Sequence, residues 1–301
     1  MNLKVRRKKK IYFNSDTFVM WFIYLLLAFV SVLMLYPLIV VLSNSVSDPV
    51  AIIEGRVKLM PVGFSMESYE KVFANKDITR SFMNSLRYTL VGTAVNVVLT
   101  ILAAYPLSRK DLVGRDPLMM IITFTMFFSG GMIPSFLVVR NLGLMNKMWA
   151  IILPGAISTY NLIITRAYFQ NNIPSELQDA ALIDGCSNVK FLLKVVLPLS
   201  LTIIVIISMF YAVGHWNAYF GPIMYFSRKN MYPLQVVLRD ILMSAQSADM
   251  ATSDTVLSTR FFEIERIKYA TIVIASLPMV IAYPFIMKYF EKGVMMGAIK
   301  G

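Results

Sequence analysis

The sequence predicts an all-α membrane protein with six transmembrane helices, and three observations carry that prediction. Of 301 residues, 57% are hydrophobic and 15% charged, with a mean hydropathy of +0.64; soluble proteins average roughly 45–50% apolar and about 25% charged. Charge-free intervals long enough for a bilayer crossing, which takes about 20 mostly apolar residues, recur along the whole chain. The third observation is what the composition excludes. A single cysteine, Cys186, and a single histidine, His215, leave no disulfide framework, no multi-thiolate metal site and no paired-histidine zinc motif.

The crossings fall at 17–47, 88–108, 117–139, 148–165, 195–227 and 269–287. The fourth and sixth are short, but Arg166 and Lys288 can snorkel to the interface. The first and fifth exceed one crossing, and Tyr36-Pro37, Gly214 and Gly221-Pro222 mark where they can kink or stop. In the third, Ser129-Gly130-Gly131 and Pro134 interrupt the apolar run. Two readings are open there: a broken helix lining a pathway, or close helix packing.

Orientation follows from the short segments. The tail 1–16 carries Lys4, Arg6, Arg7, Lys8, Lys9 and Lys10, and the loop 109–115 carries Arg109, Lys110 and Arg115. Both belong in the cytoplasm by the positive-inside rule, and one crossing plus one return joins them. This places both termini inside, with a transmembrane domain at 17–292 and a cytoplasmic tail at 293–301. The long outer segments, about 43–83 and 228–268, carry little topological information because long loops translocate regardless of charge. A secretory signal fits poorly: the first apolar run is too long, and no small-residue cleavage site follows it. The basic excess is therefore topological rather than the folded basic face of a nucleic-acid binder. The location implied is the cell membrane, multi-pass.

One polar segment between crossings is organised. Pro174 precedes Ser175, and Gln178 three residues later completes a capping-box pattern. Leu177, Ala180, Ala181 and Asp184 then share one stripe of a short helix, and Gly185 suits the left-handed position that ends it. Ser187 or Asn188 can cap a second helix running through Phe191 and Leu192 to Leu197-Pro198. The spacing predicts a helix–turn–helix over about 174–190 at the cytoplasmic surface. Its alanine pair lets another groove approach closely.

At these residues the chain resembles the permease subunits of ABC importers. Their signature is Glu-Ala-Ala, three residues, Gly, nine residues, Ile, one residue, Leu-Pro. Here Asp179-Ala180-Ala181 precedes Gly185, Val195 and Leu197-Pro198 with every spacing kept, Asp replacing Glu and Val replacing Ile. Phe128-Ser129-Gly130-Gly131-Met132-Ile133-Pro134, Gly214-His215-Trp216-Asn217, Tyr232-Pro233-Leu234-Gln235 and the ending Lys292 to Gly301 resemble the carbohydrate importers, in the branch associated with oligosaccharide or polysaccharide uptake. The resemblance implies a coupling helix that docks in an ATPase cleft through Asp179, Ala180, Ala181, Asp184, Gly185, Leu197 and Pro198. It also implies a C-terminal tail that reaches the ATPase through Gly297, Lys300 and Gly301. The partners implied are a second homologous permease, an ABC ATPase dimer, an extracytoplasmic solute-binding protein, the sugar and membrane lipid. The implied mechanism is alternating access.

Other features agree with a non-catalytic subunit. No Gly-x-x-x-x-Gly-Lys-Ser/Thr loop occurs, so ATP and Mg belong to the partner ATPase and this chain needs no cofactor or metal. No Gly-x-Ser-x-Gly elbow occurs. The apolar spans contain no Asp or Glu, which weighs against the alternative, a self-contained secondary carrier or channel with a buried proton relay. Asn161, Trp216, Asn217 and Tyr219 are the candidate sugar-pathway residues, combining amide hydrogen bonding with aromatic faces. The competing reading makes the rings an interfacial belt and the amides inter-helix bonds.

Overall fold

A computed structural model describes residues 15–249 and 255–298. Among them every regular element is helical, and only an isolated bridge, Ser47 to Phe64, is extended. Helix α1 (Ser15–Ser45) continues past Pro37 without ending there. Its hydrophobic side chains lie open along the most apolar stretch, none of which is buried within the chain. Short helices α2 (Pro49–Ile53) and α3 (Glu67–Ala74) follow, and both pack on the last helix.

Helix α4 (Lys76–Ser108) is the axis of the molecule. It begins well before the charge-free interval at 88, because Asn75 caps it: the side-chain oxygen accepts from the N–H groups of Asp77 and Ile78 at 3.0 and 3.2 Å. Asp77, Arg80 and Arg87 ride on the exposed side of this first part. Polarity ends an apolar interval without ending a helix.

The next three predicted crossings are each broken. Helices α5 (Arg115–Phe127) and α6 (Met132–Asn141) meet at 112°, with Gly131 at φ 87°. The apolar run is thus broken at the glycine pair. Helix α7 (Trp149–Ile152), continued by a 3-10 turn to Gly155, meets α8 (Thr159–Asn172) at 54°; the Ser158 side chain caps α8. Helix α9 (Ser175–Ile183) lies in the polar segment. Helix α10 (Asn188–Phe191), a π turn at Leu192–Val196 and α11 (Leu197–Leu199) form one stack, which meets α12 (Leu201–Trp216) at 84°. That bend sits at Ser200, just past Pro198; Gly214 lies within α12, which stops two residues later at Trp216. Pro222 likewise sits inside α13 (Phe220–Tyr225). Helices α14 (Leu234–Asp249) and α15 (Thr255–Ala298) complete the order, α15 running through Pro278 and Pro284.

Among the described residues three helices are long and apolar enough to cross a membrane, and counting each bent pair as one span raises the number to six. The main core packs α4 against α8 and α12, with Ile101, Ala104, Leu162, Val196 and Ile207 buried in it. A second core joins α3, α4, α14 and α15 around Val72, Ile78, Leu234 and Ala270.

Candidate coupling surface and membrane cavity

The polar helix–turn–helix forms with one correction. Ser175 is the first residue of α9, not its cap; Pro174, at φ −59° and ψ 139°, holds the cap position and no side chain bonds the helix start. The fixed proline φ suffices to direct the chain into the helix. At the other end Gly185 stands at φ +67°, and Cys186 N–H returns to the Ala181 carbonyl at 2.8 Å. The Ser187 hydroxyl then caps α10 by accepting from Lys190 N–H.

No residue of α9 is buried. Its inner edge rests on the core through the partly buried Ala181, flanked by Ile173 and Cys186. Asp179, Ala180, Asp184 and Gly185 are exposed, and so are the apolar Leu182 and Ile183, the latter at 87%. Leu197 is half-buried on the core and Pro198 is exposed. One end of this segment is anchored and the other offers apolar side chains to a second surface.

Arg109, just past α4, ties the segment down. Its guanidinium donates to both Asp111 carboxylate oxygens at 2.8 and 2.7 Å, to Tyr105 Oη at 3.1 Å and to Asn188 Oδ1 at 2.8 Å. These bonds hold the Asp111 carboxyl below the usual carboxylate range. Arg166 Nε–H donates to the Leu107 carbonyl at 2.9 Å, fastening the same helix end to α8. Behind α9 lies a cavity of about 470 Å³ lined by Arg109, Arg115, Gln170, Ser175 and Asp179 among others.

A second cavity, about 500 Å³, opens between α4, α8 and α12. Asn96, Ser158, Tyr160, Asn161, Phe210, Tyr211 and His215 line it, and it has no Lys, Arg, Asp or Glu in its wall. Asn96 Nδ2 lies 3.0 Å from His215 Nε2, and Thr100 Oγ1 lies 2.6 Å from Tyr211 Oη, which accepts from Ser158 N–H at 2.9 Å. The His215 ring occupies the space that a side chain on Gly92 would need: a Cβ there would stand 2.5 Å from Nε2. Asn96 Oδ1, Thr93 Oγ1 and Thr89 Oγ1 are buried with no hydrogen-bond partner among the described residues. They share one stripe of α4. Amides, hydroxyls and rings around a cavity of this volume can hold a neutral polyol.

The four predicted pathway residues are not brought together. Asn161 is buried in the wall of this cavity. Trp216 and Asn217 line a different cavity, also about 500 Å³, between α12, α14 and α15. The Trp216 indole is buried, donates to the Ala275 carbonyl at 2.9 Å and meets Phe82 edge-on at 5.8 Å. Asn217 bonds the Val213 carbonyl at 3.0 Å, and Tyr219 is half exposed before α13. The two cavities lie on different faces of α12, with Gly214 and His215 toward Asn161 and Trp216 toward Ala275, and the helix ends at Trp216 before Tyr219 is reached. The signal that finds the wall is the four-residue step of 92, 96 and 100 against 207, 211 and 215. Of the predicted tail contacts, Gly297 lies in the last turn of α15, while Lys300 and Gly301 lie outside the described residues. Among the described residues no group of His, Cys, Asp and Glu is placed to hold a metal.

Comparison with known proteins gives a consistent picture. Residues 96–296 match the family described as binding-protein-dependent transport system inner membrane component. The polygalacturonan/rhamnogalacturonan transport system permease protein YtcP of Bacillus subtilis is 43% identical over 93% of this chain and 97% of its own length. The arabinooligosaccharides transport system permease protein AraQ of Halalkalibacterium halodurans is 24% identical over 93% and 96% respectively. Among solved structures, a bacterial ABC transporter involved in the import of the acidic polysaccharide alginate superposes with a TM-score of 0.84 at 31% identity, covering 94% of this chain and all of that one.

Proposed function

Because this chain belongs to the binding-protein-dependent transport system inner membrane components, the non-catalytic permease subunits of ABC importers, we propose that it forms one half of a heteromeric pathway for a saccharide. It is a multi-pass permease of the cytoplasmic membrane, a component of a sugar, oligosaccharide or polysaccharide importer. Membership implies an ATPase and a binding protein as partners. In the finer reading the chain crosses six times with both termini in the cytoplasm, each bent pair counting as one crossing. It pairs with a second homologous permease, and two ATPase copies sit beneath them. The open apolar surface of α1 supports such a neighbour, since packing rather than burial from water joins helices in a bilayer.

The observation that carries the coupling role is α9 itself. It is exposed on every side but one, ends in an open left-handed turn at Gly185 and stands beside the basic loop 109–115. ATP-driven closure of the ATPase pair would move α9 and, through Arg109, the end of α4. The saccharide would pass the cavity at Asn96 and Asn161, whose wall changes as α4 and α12 shift. Asp179, Ala180, Ala181, Asp184, Gly185, Leu197 and Pro198 are the proposed coupling contacts; Gly297, Lys300 and Gly301 are the proposed tail contacts.

Purification of the chain from its native membrane in mild detergent, with mass spectrometry of what co-elutes, tests the assembly. A second permease and a Walker-A ATPase are expected. Isolation of the chain alone, stable and able to move solute in vesicles, would overturn the reading.

A further inference from the structure

We propose that the outer platform above the cavity is a recruiting site for an anionic, uronate-bearing saccharide. The proposal rests on the importer reading and names the class of substrate. Each of the three chain segments lining the cavity continues outward into this platform. Helix α4 runs back from Asn96 to Arg87, about 13 Å at 1.5 Å per residue. The segment at Ile151 and Gly155 runs back to Lys147, and that at His215 and Ala218 runs on through α13 to Arg228 and Lys229. Arg140 closes α6 beside them.

Hydrogen bonds lock these segments together. Ser227 N–H donates to Asn146 Oδ1 at 2.7 Å, and Asn146 N–H to the Tyr225 carbonyl at 3.1 Å. Asn84 Nδ2 reaches the carbonyls of Asn230 and Tyr232, and Tyr88 Oη that of Met231 at 3.0 Å. Beneath them Tyr88, Val139, Ala150, Tyr225 and Phe226 form one buried cluster. The cations are chain neighbours of the bonded residues: Arg87 of Tyr88, Lys147 of Asn146, Arg228 of Ser227, Lys229 of Asn230.

The charge pattern is one-sided. No Asp or Glu occurs between Asp77 and Asp111, between Asp116 and Glu176, or between Asp184 and Asp240. Arg87, Arg140, Lys147, Arg228 and Lys229 are all exposed, and none makes a salt bridge among the described residues. The segment 48–80 behaves differently, mixing both signs and pairing Arg56 with Glu54, Lys71 with Glu67 and Arg80 with Asp77. Short basic loops belong on the cytoplasmic side, so the topological rule does not account for a cationic platform one crossing away from 109–115. A cleft rimmed by one sign concentrates the opposite sign at its mouth.

The occupant follows from charge complementarity and position. The platform is joined to the cavity wall by the same three chain segments, and no charged Lys, Arg, Asp or Glu lines that wall to select a charged sugar. Carboxylates along the sugar would be met at the rim. Two relatives are named for polymers of this kind, a polygalacturonan/rhamnogalacturonan permease and an importer of the acidic polysaccharide alginate.

The test uses the whole complex in nanodiscs, without binding protein, and compares an oligogalacturonate with its methyl ester of equal length by equilibrium dialysis. At low salt the free acid is expected to bind at least about tenfold tighter, and the gap should close at high salt. An Arg228→Gln, Lys229→Gln variant, verified by co-elution of all subunits, should lose most of the gap while still binding the ester. Equal binding of acid and ester, or no binding of either, overturns the proposal, as does full discrimination in the variant. If the variant instead weakens docking of the sugar-free binding protein and leaves the gap intact, the platform is a protein-docking surface and the proposal fails while the importer reading stands. A complex that imports no carbohydrate at all would defeat the importer reading itself.

Discussion

The two ends of α4 are held in opposite ways. At the platform end, side-chain donors on the helix bond backbone carbonyls of the loop above: Asn84 to Asn230 and Tyr232, Tyr88 to Met231, with Ser85 Oγ accepting from Leu234 N–H at 2.8 Å. Backbone held at four points keeps its shape. At the coupling end, α9 contributes no buried residue, and the segment after it is tied to the end of α4 by Arg109, which donates to Asn188 at the start of α10. Few buried contacts mean a low cost of local displacement. The contrast suits one rod with a rigid receiving end and a compliant driven end, and each prediction below tries to break one side of it.

The largest effect is expected at Gly185. No atom of the described residues comes within 4 Å of where its side chain would stand, so within this chain a substitution acts through φ +67°. A β-branched residue is a severe outlier at such a φ, and the left-handed region costs roughly 1–2 kcal/mol for an ordinary residue. Gly185→Val should reduce import in reconstituted vesicles by about tenfold or more with the chain still in the membrane, while Gly185→Asn, which tolerates this conformation, should retain most of it. Wild-type import by the valine variant would remove the turn from the coupling path.

An intermediate effect is expected at the strut. A hydrogen bond to a charged group is worth about 1.5–3 kcal/mol, and the Arg109 side chain is only 10% exposed. Asn188→Ala should lower the sugar imported per ATP hydrolysed by about three- to tenfold. Asn188→Asp, keeping an acceptor, should restore it, and Arg109→Lys, lacking the planar fork, should not rescue. The neighbouring Asp111 carboxyl lies below its ordinary pKa, so its contribution is complete above the unfolded value near 3.8 and is lost only as pH falls through the lower folded one. The import-to-hydrolysis ratio should therefore be insensitive to this carboxyl from neutral pH down to about pH 5. A loss in that range that Asp111→Asn abolishes would contradict the assignment.

Sequence patterns made the coupling end more legible than the cavity. A proline, an alanine pair and a glycine at fixed intervals specify a local structure, and local structure depends on near neighbours; only the cap moved, by one residue to Pro174. The Gly130-Gly131 break was legible for the same reason. The cavity depends on which faces of α4, α8 and α12 meet, and hydropathy hides this because every face is apolar enough. Hence residue type alone puts Trp216 and Asn217 with Asn161, although α12 separates them. The bends at Ser158 and Ser200 carry no such sequence signal, since a serine inside an apolar run reads as tolerated polarity.

The smallest effect is expected where the structure is most redundant. Asn84→Ala removes two donors from a loop still held by Tyr88, Asn146 and Ser85, and a net hydrogen bond is worth about 1 kcal/mol. Import should fall less than about threefold. Amide exchange should rise at 229–233 and stay unchanged at α9. The two readouts together sharpen the comparison, because a rigid platform redistributes the loss of one pin whereas a single strut cannot. Exchange that rises at both ends, or import that collapses as it does for Gly185→Val, would mean that the platform and the coupling helix are one cooperative unit. The rod would then have no stiff end.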